Sequence, residues 1–420
     1  MNKILILSEK IFTILSFLHY SGGPLFVILS DGISEGEFPD TTPEIPFINQ
    51  VFLIIYPITF CLLLLRWKKV LPAILKNGLI WLLLGVAILS ISWSYSPELT
   101  RTRVVALTGT MMFSLYFATR YTLKEQLQLL GWVFGIIVVG SILFSIALPK
   151  YGVMTNIHNG AWRGIYNHKN VLGKNMVPSV IIFSLLALKA QKQRWILWIL
   201  LSASMGLIVL SRSSSPLINL LILINIFSIV YIFRWKYIFM VPALIGILSI
   251  VTIIYLLLTA NAEQLASSFG KDLTLTGRTN FWPLILDKIW EKPLLGYGFG
   301  AFWQGLDGPS SYVWNASSFK TPNGHNGYLD LCLELGFVGL SIYMLQFINS
   351  LIKGIAYIMS VRTSDAFWPI LLLSYIVLSN LTESSLVVQN NFLWTMQLSI
   401  FFSLSIPQPS EMTDPVLQKI

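Results

Sequence analysis

Residues 126–148 read QLQLLGWVFGIIVVGSILFSIAL, a run without one charged side chain. At ~1.5 Å of rise per residue, a helix of this length covers the ~30 Å hydrocarbon core of a bilayer. No water is present there to satisfy backbone N–H and C=O groups, and a helix pairs all of them within the segment. The stretch reads as a transmembrane helix.

Similar blocks recur on both sides of it. They lie at 11–30, 47–65, 78–93, 104–119, 126–148, 175–190, 195–211, 216–233, 238–260, 325–348, 366–382 and 391–406. This predicts an all-α polytopic membrane protein of about 12 transmembrane helices, with 1–420 as a single integral membrane domain. The first block is interrupted by Ser21-Gly22-Gly23-Pro24 and is expected to kink or cross only in part. The short third block is extended if it begins near Leu71, with Lys76 snorkelling. Composition agrees, with 55% hydrophobic residues, 11% charged residues and a mean hydropathy of +0.71. A soluble domain carries about 25% charged residues.

The net charge of +9 does not point to nucleic acid, because the basic residues sit in short clusters between apolar blocks. Lys3, Lys10, Arg66, Lys68, Lys69, Arg120, Lys124, Lys189, Lys192, Arg194, Arg234, Lys236, Lys353 and Arg362 fall on one side. By the positive-inside rule that side is the cytoplasm, and both termini lie there. The first loop opposite carries Asp31, Glu35, Glu37, Asp40 and Glu44. Cys61 and Cys332 lie in or beside apolar blocks and read as small buried hydrophobes.

Two outer loops stand out. The longer, 261–324, contains NFWPLILDKIWEK at 280–292. Phe281, Trp282, Ile285, Ile289 and Trp290 share one side of a predicted surface helix, with Thr279 or Asn280 as N-cap and Pro283 in the first turn. The shorter, 150–174, holds WRGIYNHKN at 162–170.

Chemistry-bearing residues gather on this outer side. Arg212, in Leu210-Ser211-Arg212-Ser213-Ser214, and Arg278, in Gly277-Arg278-Thr279-Asn280, have the bidentate fork that suits a diphosphate. A headgroup-snorkelling arginine explains each equally well. His325, in Asn323-Gly324-His325-Asn326-Gly327, is a proton acceptor near neutral pH or else an interfacial cap. Asn326, Asp330 and Glu334 recur every fourth residue on the tenth span. The two carboxylates either orient His325 or tie spans together. His158 and His168 lack a metal-ligand spacing, and no GxxxxGK[ST] phosphate loop or DxD pair occurs.

At these residues the chain resembles the bacterial O-antigen ligase and O-antigen polymerase family, which includes exopolysaccharide polymerases. The matching pieces are Ser92-Trp93-Ser94 through Arg101-Thr102-Arg103, RGIYNHKN at 163–170, Ser211-Arg212-Ser213, Gly277-Arg278 with Trp282, EKPLLGYGFG at 291–300, and His325-Asn326-Gly327-Tyr328-Leu329 through Glu334-Leu335-Gly336. One departure is Ser214-Ser215-Pro216 after Arg212, a more proline-bound start to the next span. The resemblance implies a GT-C-like membrane glycosyltransferase that needs no metal or cofactor. It implies a bacterial inner membrane protein, active on the periplasmic face. Its partners would be an undecaprenyl-diphosphate-linked oligosaccharide donor, a glycan or lipid A core acceptor, and the lipid bilayer. By the same resemblance Arg212 and Arg278 hold the diphosphate and His325 is the base. The 162–170 segment is more similar to exopolysaccharide polymerases than to ligases, which gives Arg163, His168 and Lys169 an expected accessory role toward a second carrier or its sugar; a loop that merely caps the fifth and sixth spans explains them equally well.

A membrane transporter is the rival from another class, but its paired repeats and midplane charges are not seen in this sequence. Alternating basic loops place 261–324 outside and both termini inside. Reporter fusions at Ser268 and Ile420 are expected to read opposite compartments, and a shared compartment would end this topology.

Overall fold

A computed structural model describes residues 3–32, 46–155, 158–190, 192, 194–232, 239, 241–243, 246, 278–316 and 320–407. In chain order the helices are α1 (Lys3–Tyr20), α2 (Leu25–Leu29), α3 (Pro46–Leu64), α4 (Trp67–Leu75), α5 (Gly78–Leu89), α6 (Pro97–Arg120), α7 (Leu123–Ala147) and α8 (Pro149–Gly152). They continue as α9 (Lys169–Lys189), α10 (Arg194–Leu210), α11 (Ser214–Ile232), α12 (Arg278–Glu291), α13 (Ser311–Ala316), α14 (Gly327–Ser360), α15 (Trp368–Asn380) and α16 (Phe392–Ser403). Among the described residues, extended backbone pairs only at an isolated bridge between Val153 and Trp162.

This is a polytopic, all-helical membrane protein. Among the described residues five helices are long and apolar enough to cross a bilayer, or six counting α4 with α5 and the turn after it. The ninth apolar block, 238–260, lies largely outside the described residues, as does much of the first outer loop. The other blocks fall on helices, with corrected lengths. The break at 76–77 bends α4 from the following helix by 82°, so the third span does not run straight back to Leu71. The helix of the tenth block, α14, continues to Ser360, and the last two have 13 and 12 residues. The interruption expected at 21–24 separates α1 from α2. Cys332 is buried, whereas Cys61 is exposed.

Helix α7 shows how sequence becomes packing. Thr122 and Glu125 form a reciprocal capping box that satisfies free N–H groups at its start. Val133, Phe134, Ile137 and Val138 are buried, while Trp132, Ile136, Val139 and Leu143 are exposed. A helix apolar all round, with one face uncovered by protein, turns that face to lipid.

The basic loops expected on the cytoplasmic side meet at one end of the bundle. Glu9 of α1 pairs with Arg66 at 2.6 Å and Arg120 at 2.8 Å, and Lys189 pairs with Asp365 at 2.9 Å. Lys353 donates to Ser405, which donates to Asn77. Arg103, Lys169 and His325 lie at the opposite ends of α6, α9 and α14.

At that opposite end, α14 is broken at Gly336, whose φ is +63°. The break separates the carbonyls of Leu333 and Glu334 from their usual partners, the amides of Phe337 and Val338. The segment 293–298 fills the gap and satisfies all four groups. Tyr297 N–H donates to Leu333 (2.8 Å) and Gly298 N–H to Glu334 (3.0 Å), while Phe337 and Val338 donate to Pro293 (2.7 Å) and Leu294 (3.2 Å). A Cβ at position 336 would fall onto the Leu294 carbonyl. Gly336→Ala is therefore expected to lower thermal stability in detergent by several degrees, from ~1–2 kcal/mol of left-handed backbone cost plus displacement of the strap. An unchanged melting temperature would refute this account of the break.

Candidate active site

The strap at 293–300 connects sequence pieces almost two hundred residues apart. Trp93 Nε1 donates to Leu295 O (3.1 Å), Tyr95 N to Tyr297 O (2.9 Å), and Thr100 Oγ1 to Phe299 O (2.9 Å). Phe299 N donates to Ser90 Oγ (3.0 Å), and Arg103 donates to the Gly300 carbonyl. Gly298, at φ +99°, lets the strap lie against Ser94, where a Cβ would come within 2.5 Å of Oγ. The Ser-Trp-Ser and Arg-Thr-Arg pieces thus position backbone. Glu334 belongs to this cluster: its side-chain neighbours are Arg103, Asp330 and the backbone of Gly300.

Helix α12 rests on the strap. It begins at Arg278, two or three residues earlier than those caps imply, so Thr279 and Asn280 are helical residues and not its cap. Phe281, Ile285 and Ile289 are buried beside Cys332 and Leu333, but Trp290 is 68% exposed and does not join that face. The side chain of Arg278 lies outside the described residues. Trp282 Nε1 donates to Gly324 O at 3.0 Å, tying the first turns of α12 to the turn that carries His325.

That turn is held from several directions. Asp330 accepts from Gly324 N through both oxygens, at 3.0 and 3.1 Å. It also accepts from Trp303 Nε1 at 2.8 Å and from the Ser384 hydroxyl. Asp330 thus holds the Gly324 backbone and links it to Trp303 and Ser384. His325 N donates to Asn323 Oδ1 (2.9 Å), and Asn326 caps α14 by accepting from Tyr328 N and Leu329 N. The result places His325 at φ +46°, in the left-handed region.

Arg212 is the second non-glycine residue of the site held this way, at φ +50° between α10 and α11. The 159–170 loop surrounds it. Trp162 N donates to Leu210 O (3.0 Å), Arg212 Nη1 to Asn159 O (3.1 Å), Lys169 Nζ to Arg212 O (3.2 Å), and Ser213 Oγ to Asn170 Oδ1 (3.0 Å). Arg163 is placed differently. Its guanidinium is 1% exposed and donates to the carbonyls of Gly32, Lys150 and Tyr151 at 2.7–2.8 Å. These bonds anchor the loop to the outer end of the first helices and leave Arg163 no open face toward a second carrier.

His168 caps α9 by accepting from Asn170 N (3.2 Å), and its ring meets His158 with centroids 5.7 Å apart. Burial first, then His158, lowers its pKa to about 4; Glu383 opposes that shift, while Lys169 and His325 add to it. Glu383 was missed in the sequence. It is the lone carboxylate of the short turn between α15 and α16, and that was the available signal. Its carbonyl accepts from Gly327 N (3.1 Å), and its side chain lines a narrow polar cleft with Asn170, Ser213 and Asn219. The structure thus brings the Arg212 turn, His168, Lys169, Glu383 and the His325 turn to one end of the bundle.

Residues 195–344 match the O-antigen ligase family. The matched region contains Arg212, Arg278 and His325, and it runs from α10 into α14. The chain is also similar to the exopolysaccharide production protein ExoQ of Rhizobium meliloti (strain 1021), 25% identical over 103 residues. The aligned stretch spans 24% of this chain and 24% of that protein.

Because folded His168 stays neutral to about pH 4 whereas the unfolded side chain takes its proton near 6.5, the unfolded state binds more protons between those values. Stability present above pH 6.5 is lost as pH falls toward 4, by at most about 3 kcal/mol. His168→Asn keeps a capping oxygen without this titration. Melting temperatures at pH 7.0, 5.5 and 4.5 should fall less steeply in the variant, and equal slopes would contradict the assignment.

Proposed function

We propose that the chain is a glycosyltransferase of the O-antigen ligase and polymerase type. It transfers a glycan from undecaprenyl diphosphate to a sugar hydroxyl of an acceptor glycan, and so polymerises a polysaccharide. In this reading the protein spans a bacterial inner membrane about 12 times, with 261–324 and the active site on the periplasmic face.

The observation that carries the proposal is the backbone at Arg212 and His325. A left-handed residue other than glycine costs ~1–3 kcal/mol. Position 212 follows the end of α10, where glycine commonly supplies that conformation. His325 stands between Gly324 and Asn326, two residue types that adopt it more readily. An arginine and a histidine at such positions are explained by what their side chains do.

The chemistry needs three groups. His325 accepts the proton of the acceptor hydroxyl, whose oxygen forms the new bond to the anomeric carbon. The bond from that carbon to the diphosphate oxygen breaks, and its electron pair leaves with the carrier. Negative charge grows on the diphosphate, where Arg212 and Arg278 stabilise it with bidentate donors. No metal or cofactor is assigned a step. His168 and Lys169 stand beside Arg212, while Arg163 holds the loop.

Polymerisation is favoured by the likeness to an exopolysaccharide production protein; transfer to lipid A core is the second reading, favoured by the O-antigen ligase match. A strain lacking the gene separates them. Single repeats on the carrier support polymerase, whereas long carrier-linked chains support ligase. For the site, Arg212→Gly and His325→Gly are expected to keep or raise thermal stability, by about 1 kcal/mol of relieved strain, while transfer from a carrier-linked oligosaccharide drops at least a hundredfold. Arg212→Lys should restore only part of it. Wild-type transfer in either glycine variant would remove that residue from the mechanism.

A further inference from the structure

We infer that Lys169 is a positioning residue for Arg212: its buried ammonium caps the end of the neighbouring helix α10 and holds the left-handed turn that aims the arginine. This inference rests on the reading of Arg212 as a diphosphate ligand, and it gives Lys169 a role other than contact with a second carrier.

The placement of Lys169 is costly for its own helix. It is the first residue of α9, immediately after the His168 cap. A cation there faces the positive end of the helix dipole, the wrong end for stabilising α9. Its side chain is also 9% exposed, which for an ammonium requires compensating polar partners. The compensation comes from across the groove. Nζ donates to the Arg212 carbonyl at 3.2 Å, just past the C-terminus of α10, where the dipole and unpaired carbonyls favour a cation.

The same contact acts on Arg212. That residue is exposed, so burial does not hold its backbone in the left-handed well. Hydrogen bonds do, and the bonds from outside α10 and α11 come from the shorter loop and the start of α9. Trp162 N fixes the Leu210 carbonyl, Asn170 fixes Ser213, and Asn159 O receives the guanidinium. Lys169 is the member of this set that grips the strained residue's own carbonyl. Without it the turn is free to relax, and the guanidinium shifts from the diphosphate. A displacement near 1 Å at such a contact is enough for a large kinetic effect.

The test uses full-length protein in detergent with carrier-linked oligosaccharide. Lys169→Met keeps the stem and removes the ammonium; Lys169→Arg keeps a cationic donor. For Lys169→Met, KM for the carrier-linked donor is expected to rise about tenfold or more, with KM for the acceptor unchanged, and Lys169→Arg should recover most of the loss. Amide hydrogen exchange should quicken at 211–213, where Ser211 and Arg212 donate to Leu207 and Val209. A wild-type kcat/KM for the donor would overturn the proposal, as would unchanged exchange at 211–213. If Arg212→Ala transfers like wild type, the diphosphate reading fails, and the exchange experiment alone decides whether Lys169 holds the turn.

Discussion

One end of this protein depends on a broken helix whose break is filled. At Gly336 four backbone groups of α14 lose their helical partners, and the strap at 293–298 supplies four replacements. In a protein surrounded by lipid, such groups left unpaired cost several kcal/mol each, so the break and the strap are stable only together. The strap then fixes what is attached to it. It receives Trp93, Tyr95, Thr100 and Arg103 on one side and carries α12 on the other, so that Trp282 reaches the His325 turn.

The second constraint is conformational. Arg212 and His325 occupy backbone regions that side chains with a Cβ adopt at a cost, and each is secured by a different device. The His325 turn is gripped through Gly324, whose N–H is held by Asp330 and whose carbonyl is held by Trp282. The Arg212 turn is held by the shorter loop and Lys169. Both grips use buried or half-buried polar groups, which in a low-dielectric setting fix geometry strongly once satisfied. Charge at the other end of the bundle acts more simply. Glu9 joins Arg66 and Arg120 there, linking the start of the chain to two basic loops.

The sequence locates unusual polar residues, and the structure supplies what each of them touches. Arg212, His325 and the 162–170 segment were all legible as unusual polar residues beside apolar blocks. Of the two readings open for Arg163, its bonds to three carbonyls suit the loop that caps neighbouring spans. Of the two readings open for the carboxylates, tying segments together suits Glu334, which lies beside Arg103, Asp330 and the backbone of Gly300. Helical periodicity reports which residues share a face, and it carries no information about what that face meets. Glu383 was overlooked because one carboxylate in a short turn has no spacing to read.

By itself the sequence determined the membrane-spanning helical class, because unbroken apolar runs admit no other way to pair backbone groups in lipid. It also determined the grouping of the basic loops, since charge at the ends of spans is set by local composition. Only the tertiary structure decided that the Ser-Trp-Ser, Gly-Tyr-Gly-Phe-Gly and Glu-Leu-Gly pieces form one brace, that α14 breaks at Gly336, and that Arg212 and His325 sit in left-handed turns. Those features arise from hydrogen bonds between segments far apart in the chain. Each residue's preference is local, and the partner that overrides it is not.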